Sequence, residues 1–398
     1  MINAVLFDLD DTLLDNHVGL FMPRYMDLLG EFLAHKVDPT RLGEALMAGT
    51  QAMFRNTDPE ITLQQAFSGV FYAMIGIPQS DLLPDLDRFY RERFPLLQDL
   101  TRPIADAHRV VNLALQRRWK VAVATNPLFP LAAIEHRLAW AGLNSGDTPF
   151  DLVTSYESMH FTKPHPEYVA EALARIAASP AESLFVGNDP DDDIAPARAL
   201  GLSTYRVSRG LDVNPAAQRG EGTLQTLAEN LEGEDEEPAC ALPSAASPCA
   251  LPPLLTGHLA ALLYQFGMSG WVCCPAEEGW APVEIACHLR DVEREVMQPR
   301  LRLILDGENP YLPAVESDQW AEERQYARQD GPQALRDFVA ARKETIALLR
   351  GLEEQDWRHT ARHALFGPTT LEEQARFIAR HDLLHVEQLQ GAVAACGT

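Results

Sequence analysis

Near its middle the chain loses every periodicity that can build a buried element. From Glu232 to Glu237 it reads E-G-E-D-E-E, and P-A-C-A-L-P-S-A-A-S-P-C-A-L-P-P follows, rich in Pro, Ala and Ser. A segment of this kind cannot bury enough apolar surface to order itself, so residues 232–250 read as a solvated spacer. A chain of 398 residues is also too long for one ordinary core. The spacer therefore divides it into domains at 1–231 and 251–398, and the two halves differ in pattern.

Before the spacer, short apolar runs (Ala4 to Phe7, Val121 to Ala124, Leu152 to Thr154, Leu184 to Val186) alternate with longer helical stretches. Such alternation predicts an α/β core of Rossmann-like type, a parallel sheet covered by helices. Residues 17–100 break the rhythm with three helix-like stretches (Met22 to Leu33, Leu42 to Met53, Leu63 to Met74), and they read as a helical cap inserted after the first strand. After the spacer come four helical stretches with little strand signal: Leu254 to Phe266, Pro282 to Leu305, Pro332 to Leu352 and Leu371 to Val393. An all-α four-helix bundle is the simplest packing for them. Pro282 suits a first helical turn, and Thr370 with Glu373 forms a capping box.

The first strand runs into F-D-L-D-D-T-L, so Asp8 and Asp10 stand at the carboxyl end of a parallel strand, where open α/β sheets bind ligands. Two carboxylates at that spacing can divide labour, one attacking phosphorus and the other shuttling the proton. Thr125 and Asn126 follow the strand V-A-V-A and offer a hydroxyl and amides to phosphate oxygens, as at the start of a helix. Lys163, before Pro164, can neutralise both the phosphoryl group and Asp8. After L-F-V comes G-N-D-P-D-D-D, Gly187 to Asp193, a cluster of hard oxygen ligands suited to Mg2+.

In their order and context these four elements resemble the motifs of the haloacid dehalogenase (HAD) superfamily over about residues 1–230. The resemblance implies Asp8 as nucleophile, Asp10 as acid/base, Thr125 and Lys163 as the phosphate-holding pair, and the late acidic loop as metal ligands. It also implies a mobile, substrate-selecting cap. Where that family usually has G-D-x-x-x-x-D, this chain has Asn188 after Gly187, then Asp189, with Asp193 at the second acidic position. Either Asn188 or Asp189 can complete the Mg2+ shell. A departing alkoxide needs a proton and a departing halide does not, so Asp10 favours a phosphatase of small phosphorylated metabolites over a dehalogenase.

In the second domain H-D-L-L-H sets His381 and His385 one turn apart on one helix face, and His288 on the second helix can converge on them. Three imidazoles with open positions suit Zn2+, Ni2+ or Fe2+. Cys287 points away from His288, and His258, His359 and His363 read as incidental. With the opening W-x-P-x-E-x-x-x-H-L, these residues are similar to the DinB-like metal-binding bundles over about 250–395. That family includes thiol-dependent transferases, so a low-molecular-weight thiol is a candidate partner. Two other readings stay open: a catalytic bundle with the first domain accessory, and a chain that only binds metal and ligand.

A net charge of −24 repels a phosphate backbone, so nucleic acid is not an expected partner. The six cysteines form no C-x-x-C pair. No run approaches the roughly 18 apolar residues of a membrane span, and the opening segment lacks a basic start. The composition is that expected of a soluble cytoplasmic protein.

Overall fold

The computed structural model describes residues 1–208, 220–233, 246–272 and 279–396. Most of the expected spacer (234–245) lies outside the described residues, as do Cys240, Cys273 and Cys274. The chain forms two compact units, Met1–Ala245 and Ala246–Thr398.

The first unit begins with β1 (Ala4–Phe7), whose four residues are all buried, as a central parallel strand requires. It is followed by β2 (Leu14–Asn16), helices α1 (Val18–Leu33), α2 (Pro39–Arg55), α3 (Leu63–Ile75) and α4 (Gln79–Glu92), and β3 (Thr101–Pro103). Strands β2 and β3 pair antiparallel, Asn16 opposite Thr101, so the chain enters and leaves the helical insertion through one two-stranded ribbon. Local signals delimit these helices. Asp38 accepts the backbone N–H groups of Thr40 and Arg41 ahead of Pro39, and Thr62 with Gln65 closes a capping box. Gly76 ends α3 at φ 73°, a conformation that favours glycine.

The core then continues with α5 (Ala107–Gln116), β4 (Lys120–Val123), α6 (Leu131–Trp140), β5 (Leu152–Val153), α7 (Pro166–Arg175) and β6 (Ser183–Gly187). It closes with α8 (Ala195–Ala199), β7 (Ser203–Val207), β8 (Glu221–Gly222) and α9 (Leu224–Glu232). The parallel sheet has the order β5-β4-β1-β6-β7-β8. The order reverses direction at β1, which makes the carboxyl end of β1 the crevice of the sheet. Phe7 is in register with Val123 on one side and Val186 on the other. Asp8, Ala124-Thr125 and Gly187-Asn188 therefore leave the sheet side by side.

The second unit comprises α10 (Leu251–Met268), α11 (Pro282–Val292), α12 (Gln298–Asp306), β9 (Tyr311–Leu312), α13 (Trp320–Glu323), α14 (Gly331–Arg350), β10 (Thr360–His363), β11 (Gly367–Thr370) and α15 (Leu371–Cys396). Helix α10 packs on α15, and α11 on α14. The expected second helix is continuous from α11 to α12 through one π-helical turn at Glu293–Met297. Thr370 and Glu373 exchange the expected cap hydrogen bonds, at 2.8 and 3.2 Å. The sequence had not suggested the small sheet β11-β10-β9 beside the helices. No described helix is long and apolar enough to cross a membrane.

Candidate active site and metal centre

Asp8 is 6% exposed, and the Lys163 ammonium, itself buried, donates to Asp8 Oδ1 and Asp193 Oδ1, each at 2.6 Å. Lys163 comes from the loop before α7. Buried Glu171 anchors that loop by accepting from the backbone N–H of His160 at 3.0 Å and from its Nδ1 at 2.7 Å. Burial pushes the Asp8 carboxyl up to about 7, with repulsion from Asp193 and Asp10 adding to the rise and Lys163 opposing it. Burial also disfavours the Lys163 charge, but Asp193 and Asp8 outweigh it and hold the ammonium above the ordinary lysine value. Lys163 and Arg137, the latter 3.0 Å from Asp10, set two cations against the three carboxylates of Asp8, Asp10 and Asp193, and the remaining negative charge fits a divalent cation with oxygen ligands.

Asp10 is held on both oxygens. Asn16 donates to Oδ1 at 2.9 Å, and the Arg137 guanidinium lies 3.0 Å from Oδ2. Arg137 also donates to Thr125 Oγ1 at 3.1 Å, so one buried side chain ties Asp10 to Thr125. Sequence reading missed Arg137. Its signal was present: Ala133, Ile134, Arg137 and Leu138 share the buried face of α6, where an arginine needs a partner. Thr125 and Asn126 do not open a helix as expected. They lie in a loop, and α6 starts at Leu131, because Pro127 and Pro130 disfavour helical conformation in the residues before them. The side-chain oxygen of Asn126 is buried without a protein donor.

The two neighbours in the late loop face different tasks. Asp189 Oδ1 accepts the backbone N–H groups of Asp191 and Asp192 at 2.8 and 2.9 Å, capping the turn that follows. Asn188 Oδ1 instead accepts from Thr12 of the loop after Asp8, at 3.2 Å. Asp193 turns back into the site, with Oδ2 accepting from the Asp189 N–H at 3.0 Å.

In the second unit His288 Nε2 and His385 Nε2 each lie 3.1 Å from His381 Nε2. Among the described residues, only these three side chains form a group of metal-ligand type with atoms all within 4.8 Å of one another. Burial, then repulsion from His385, brings His288 down to about 3, and burial likewise lowers His381 and His385. Neutral imidazole is the form that binds a metal. His385 Nδ1 lies 2.8 Å from Gln388 Oε1. An amide oxygen only accepts, so this contact puts the proton on Nδ1 and leaves the Nε2 lone pair aimed at the cluster. Trp280, unassigned from sequence, has its ring 4.7 Å from that of His288 and stacks at 11° on His385. Cys287 is turned away: its thiol meets Gln329 Oε1 at 3.5 Å, and burial pushes it up to about 11.

Behind the histidines, Arg342 is fully enclosed and donates to Glu293 at 2.8 and 3.0 Å and to Asp382 at 2.5 Å. Burial alone would raise the Asp382 carboxyl, but the guanidinium outweighs it and brings it down to about 2. His258 is buried 3.7 Å from Asp382. His363 stacks on Phe366, away from the three imidazoles, and His359 has a buried Nδ1 without a partner.

The family model of haloacid dehalogenase-like hydrolases matches residues 2–201, and that of the DinB superfamily matches residues 255–389. The chain is 24% identical over 208 residues to pyrophosphatase PpaX of Bacillus pumilus, covering 52% of this chain and 83% of that protein. It is 31% identical over 127 residues to phosphoserine phosphatase of Thermus thermophilus, covering 31% of this chain and 46% of the other. Among solved structures, YfiT from Bacillus subtilis, with an unusual four-helix bundle topology, matches with a TM-score of 0.36 and 20% identity. That match covers 39% of this chain and 90% of YfiT.

Proposed function

The chain belongs to the haloacid dehalogenase-like hydrolases and carries a DinB superfamily domain, and from that premise we propose that its first domain is a Mg2+-dependent phosphatase of small phosphorylated metabolites. The observation that carries this reading is the buried set of Asp8, Lys163 and Asp193 beside an Asp10 held by Asn16 and Arg137. Relatives bearing phosphatase and pyrophosphatase names support the substrate class.

Lys163 donates to Oδ1 of Asp8, so attack on phosphorus falls to Oδ2. The new bond makes an aspartyl-phosphate as the ester P–O bond breaks, and Asp10 gives its proton to the departing alkoxide. Asp10 then takes a proton from the water that attacks phosphorus, releasing inorganic phosphate and restoring Asp8. Lys163 and the Thr125-Asn126 loop hold phosphoryl oxygens. Mg2+ held among Asp8, Asp10, Asn188 and Asp193 would supply further positive charge against those oxygens. We favour Asn188 over Asp189 as ligand because the Asp189 carboxylate is committed to its turn. Phosphate release from a panel of monoesters tests the reading. It is abandoned if the wild type releases phosphate from none of them or if Asp8→Asn releases it equally well.

For the bundle, the converging Nε2 atoms support one divalent transition metal, Zn2+, Ni2+ or Fe2+, on His288, His381 and His385. That metal would lower the pKa of a bound water or low-molecular-weight thiol. Elemental analysis of the purified protein is expected to find about one such ion per chain, and a metal-free protein counts against the site.

A further inference from the structure

Helices α1 to α4 of the insertion and α6 of the core surround a cavity of about 1140 Å3. Its wall is built largely of Met, Leu, Phe and Tyr, including Met22, Leu46, Phe67, Leu86 and Phe129. None of Asp8, Asp10, Thr125, Lys163 or Asp193 lines it. Its charged groups do not suit a phosphate, since Arg91 is set against Asp87, Glu135 and Glu157. Two of its four tyrosines satisfy each other. Tyr25 and Tyr90 hydrogen-bond each other at 3.0 Å, and burial pushes the Tyr25 phenol up to about 12. Both carboxylate oxygens of Glu157 lie 3.1 Å from the backbone N–H of Leu131.

The cavity adjoins the acidic site through shared elements. Phe129 forms part of its wall, and the Arg137 guanidinium lies 5.4 Å from the centre of that ring while contacting Asp10 and Thr125. Leu128, Phe129 and Pro130 continue the loop of Thr125 and Asn126. Val18, also in the wall, follows Asn16 by two residues, and Asn16 donates to Asp10. A phosphoryl group on Asp8 with its ester oxygen at Asp10 would have the cavity wall at Phe129 one side chain, Arg137, away. The cavity is at the upper end of small-molecule sites, which run to roughly 1,000 Å3. A small polar alcohol would leave it filled with water against Phe, Leu and Met side chains.

We propose that this cavity receives the alcohol portion of the substrate, and that the preferred substrates are phosphate monoesters of bulky, uncharged, apolar alcohols. The proposal rests on the phosphatase reading for the chemistry but on the cavity alone for the selectivity. Two measurements separate them: hydrolysis of n-alkyl monophosphates from ethyl to octyl, and calorimetric binding of ethyl- and octylphosphonate, which cannot be hydrolysed. Each buried methylene is worth roughly fourfold, so kcat/KM is expected to rise at least about a hundredfold along the series, and octylphosphonate to bind correspondingly more tightly than ethylphosphonate. Ala132 and Ala139 are exposed residues of α6 that face the cavity. Ala132→Trp, with Ala139→Trp as a second plug should the first misfold, is expected to bring the octyl-to-ethyl ratio below about tenfold. Hydrolysis without chain-length dependence overturns the proposal and leaves the phosphatase reading intact. Tight, plug-sensitive octylphosphonate binding without any hydrolysis does the reverse. A ratio that survives both plugs overturns the assignment of this cavity.

Discussion

A β-carbon at Gly187 would stand 2.4 Å from Oδ2 of Asp193 and 2.7 Å from its Cβ. The carboxylate that shares Lys163 with Asp8 thus occupies the space that a side chain at 187 would need. Gly187→Ala is expected to displace Asp193, lower phosphate release at least about a hundredfold, and cost about 1–3 kcal/mol in denaturant unfolding. An alanine variant with wild-type turnover would show that Asp193 is not needed where it stands.

The two candidates for the remaining metal position differ in what they already hold. Asn188→Asp adds a charge beside Thr12 and is expected to lower the Mg2+ concentration for half-maximal activity by roughly tenfold. Asp189→Ala removes a turn cap and is expected to cost about 1 kcal/mol of stability with little change in that concentration. Mg2+ titrations of the two variants decide the assignment, and the opposite pattern reverses it.

Lys163 is the buried cation between two buried carboxylates. Lys163→Met leaves both unpaired and is expected to cost about 3–5 kcal/mol when Mg2+ is chelated, because uncompensated buried charge is severely penalised. Millimolar Mg2+ is expected to stabilise this variant more than the wild type, since the ion takes over the neutralisation. Equal stabilisation of both, read as the shift in Tm, contradicts a cation site next to Asp8.

Removing the bundle metal with a chelator is expected to lower that domain's unfolding temperature, and re-addition to restore it. At a free metal concentration a hundred times Kd, the bound ion contributes about 2.7 kcal/mol. His288→Ala and His381→Ala are each expected to lose the ion by elemental analysis, whereas Cys287→Ala keeps it. Metal loss in Cys287→Ala would bring the thiol back as a ligand.

Arg342 meets Glu293 and Asp382 with almost no solvent exposure. Arg342→Met is expected to destabilise the bundle by about 3–5 kcal/mol in urea unfolding. Because Asp382 adjoins His381, metal occupancy should fall as well. Unchanged occupancy in a folded variant separates this ion network from the metal centre.

Residues whose signal lies in their own neighbourhood could be read from the sequence. Asp8 ends an apolar run, Thr370 and Glu373 carry a cap in four letters, and His381 and His385 are one helical turn apart. Arg137 shows a second case, marked as buried by the pattern of its own helix but with a partner that the pattern does not name. Its link to Asp10 depends on α6 folding back over the end of β1, a relation between segments that no local pattern encodes. Asp189 shows a third. The sequence offered it and Asn188 as equals, and the structure engages Asp189 in the cap of the next turn, which depends on loop geometry. The hairpin of β10 and β11 has a signal in Gly367, at φ 74°, but its strands are only four residues long, too short for an alternating pattern to stand out among the helices.

The ribbon that carries the cap has a consequence for how such chains diversify. Asn16 and Thr101 are register partners, so the parallel sheet is joined to the insertion at two adjacent points whatever lies between them. Closing a longer loop across fixed ends costs little extra, about 0.6 kcal/mol per doubling of length. The insertion is therefore a cassette. It can be lengthened or reshaped between its fixed ends as long as Asn56, Leu63 and Gln64 keep their hydrogen bonds to His160, Met159 and Tyr156, in the segment that leads to Lys163.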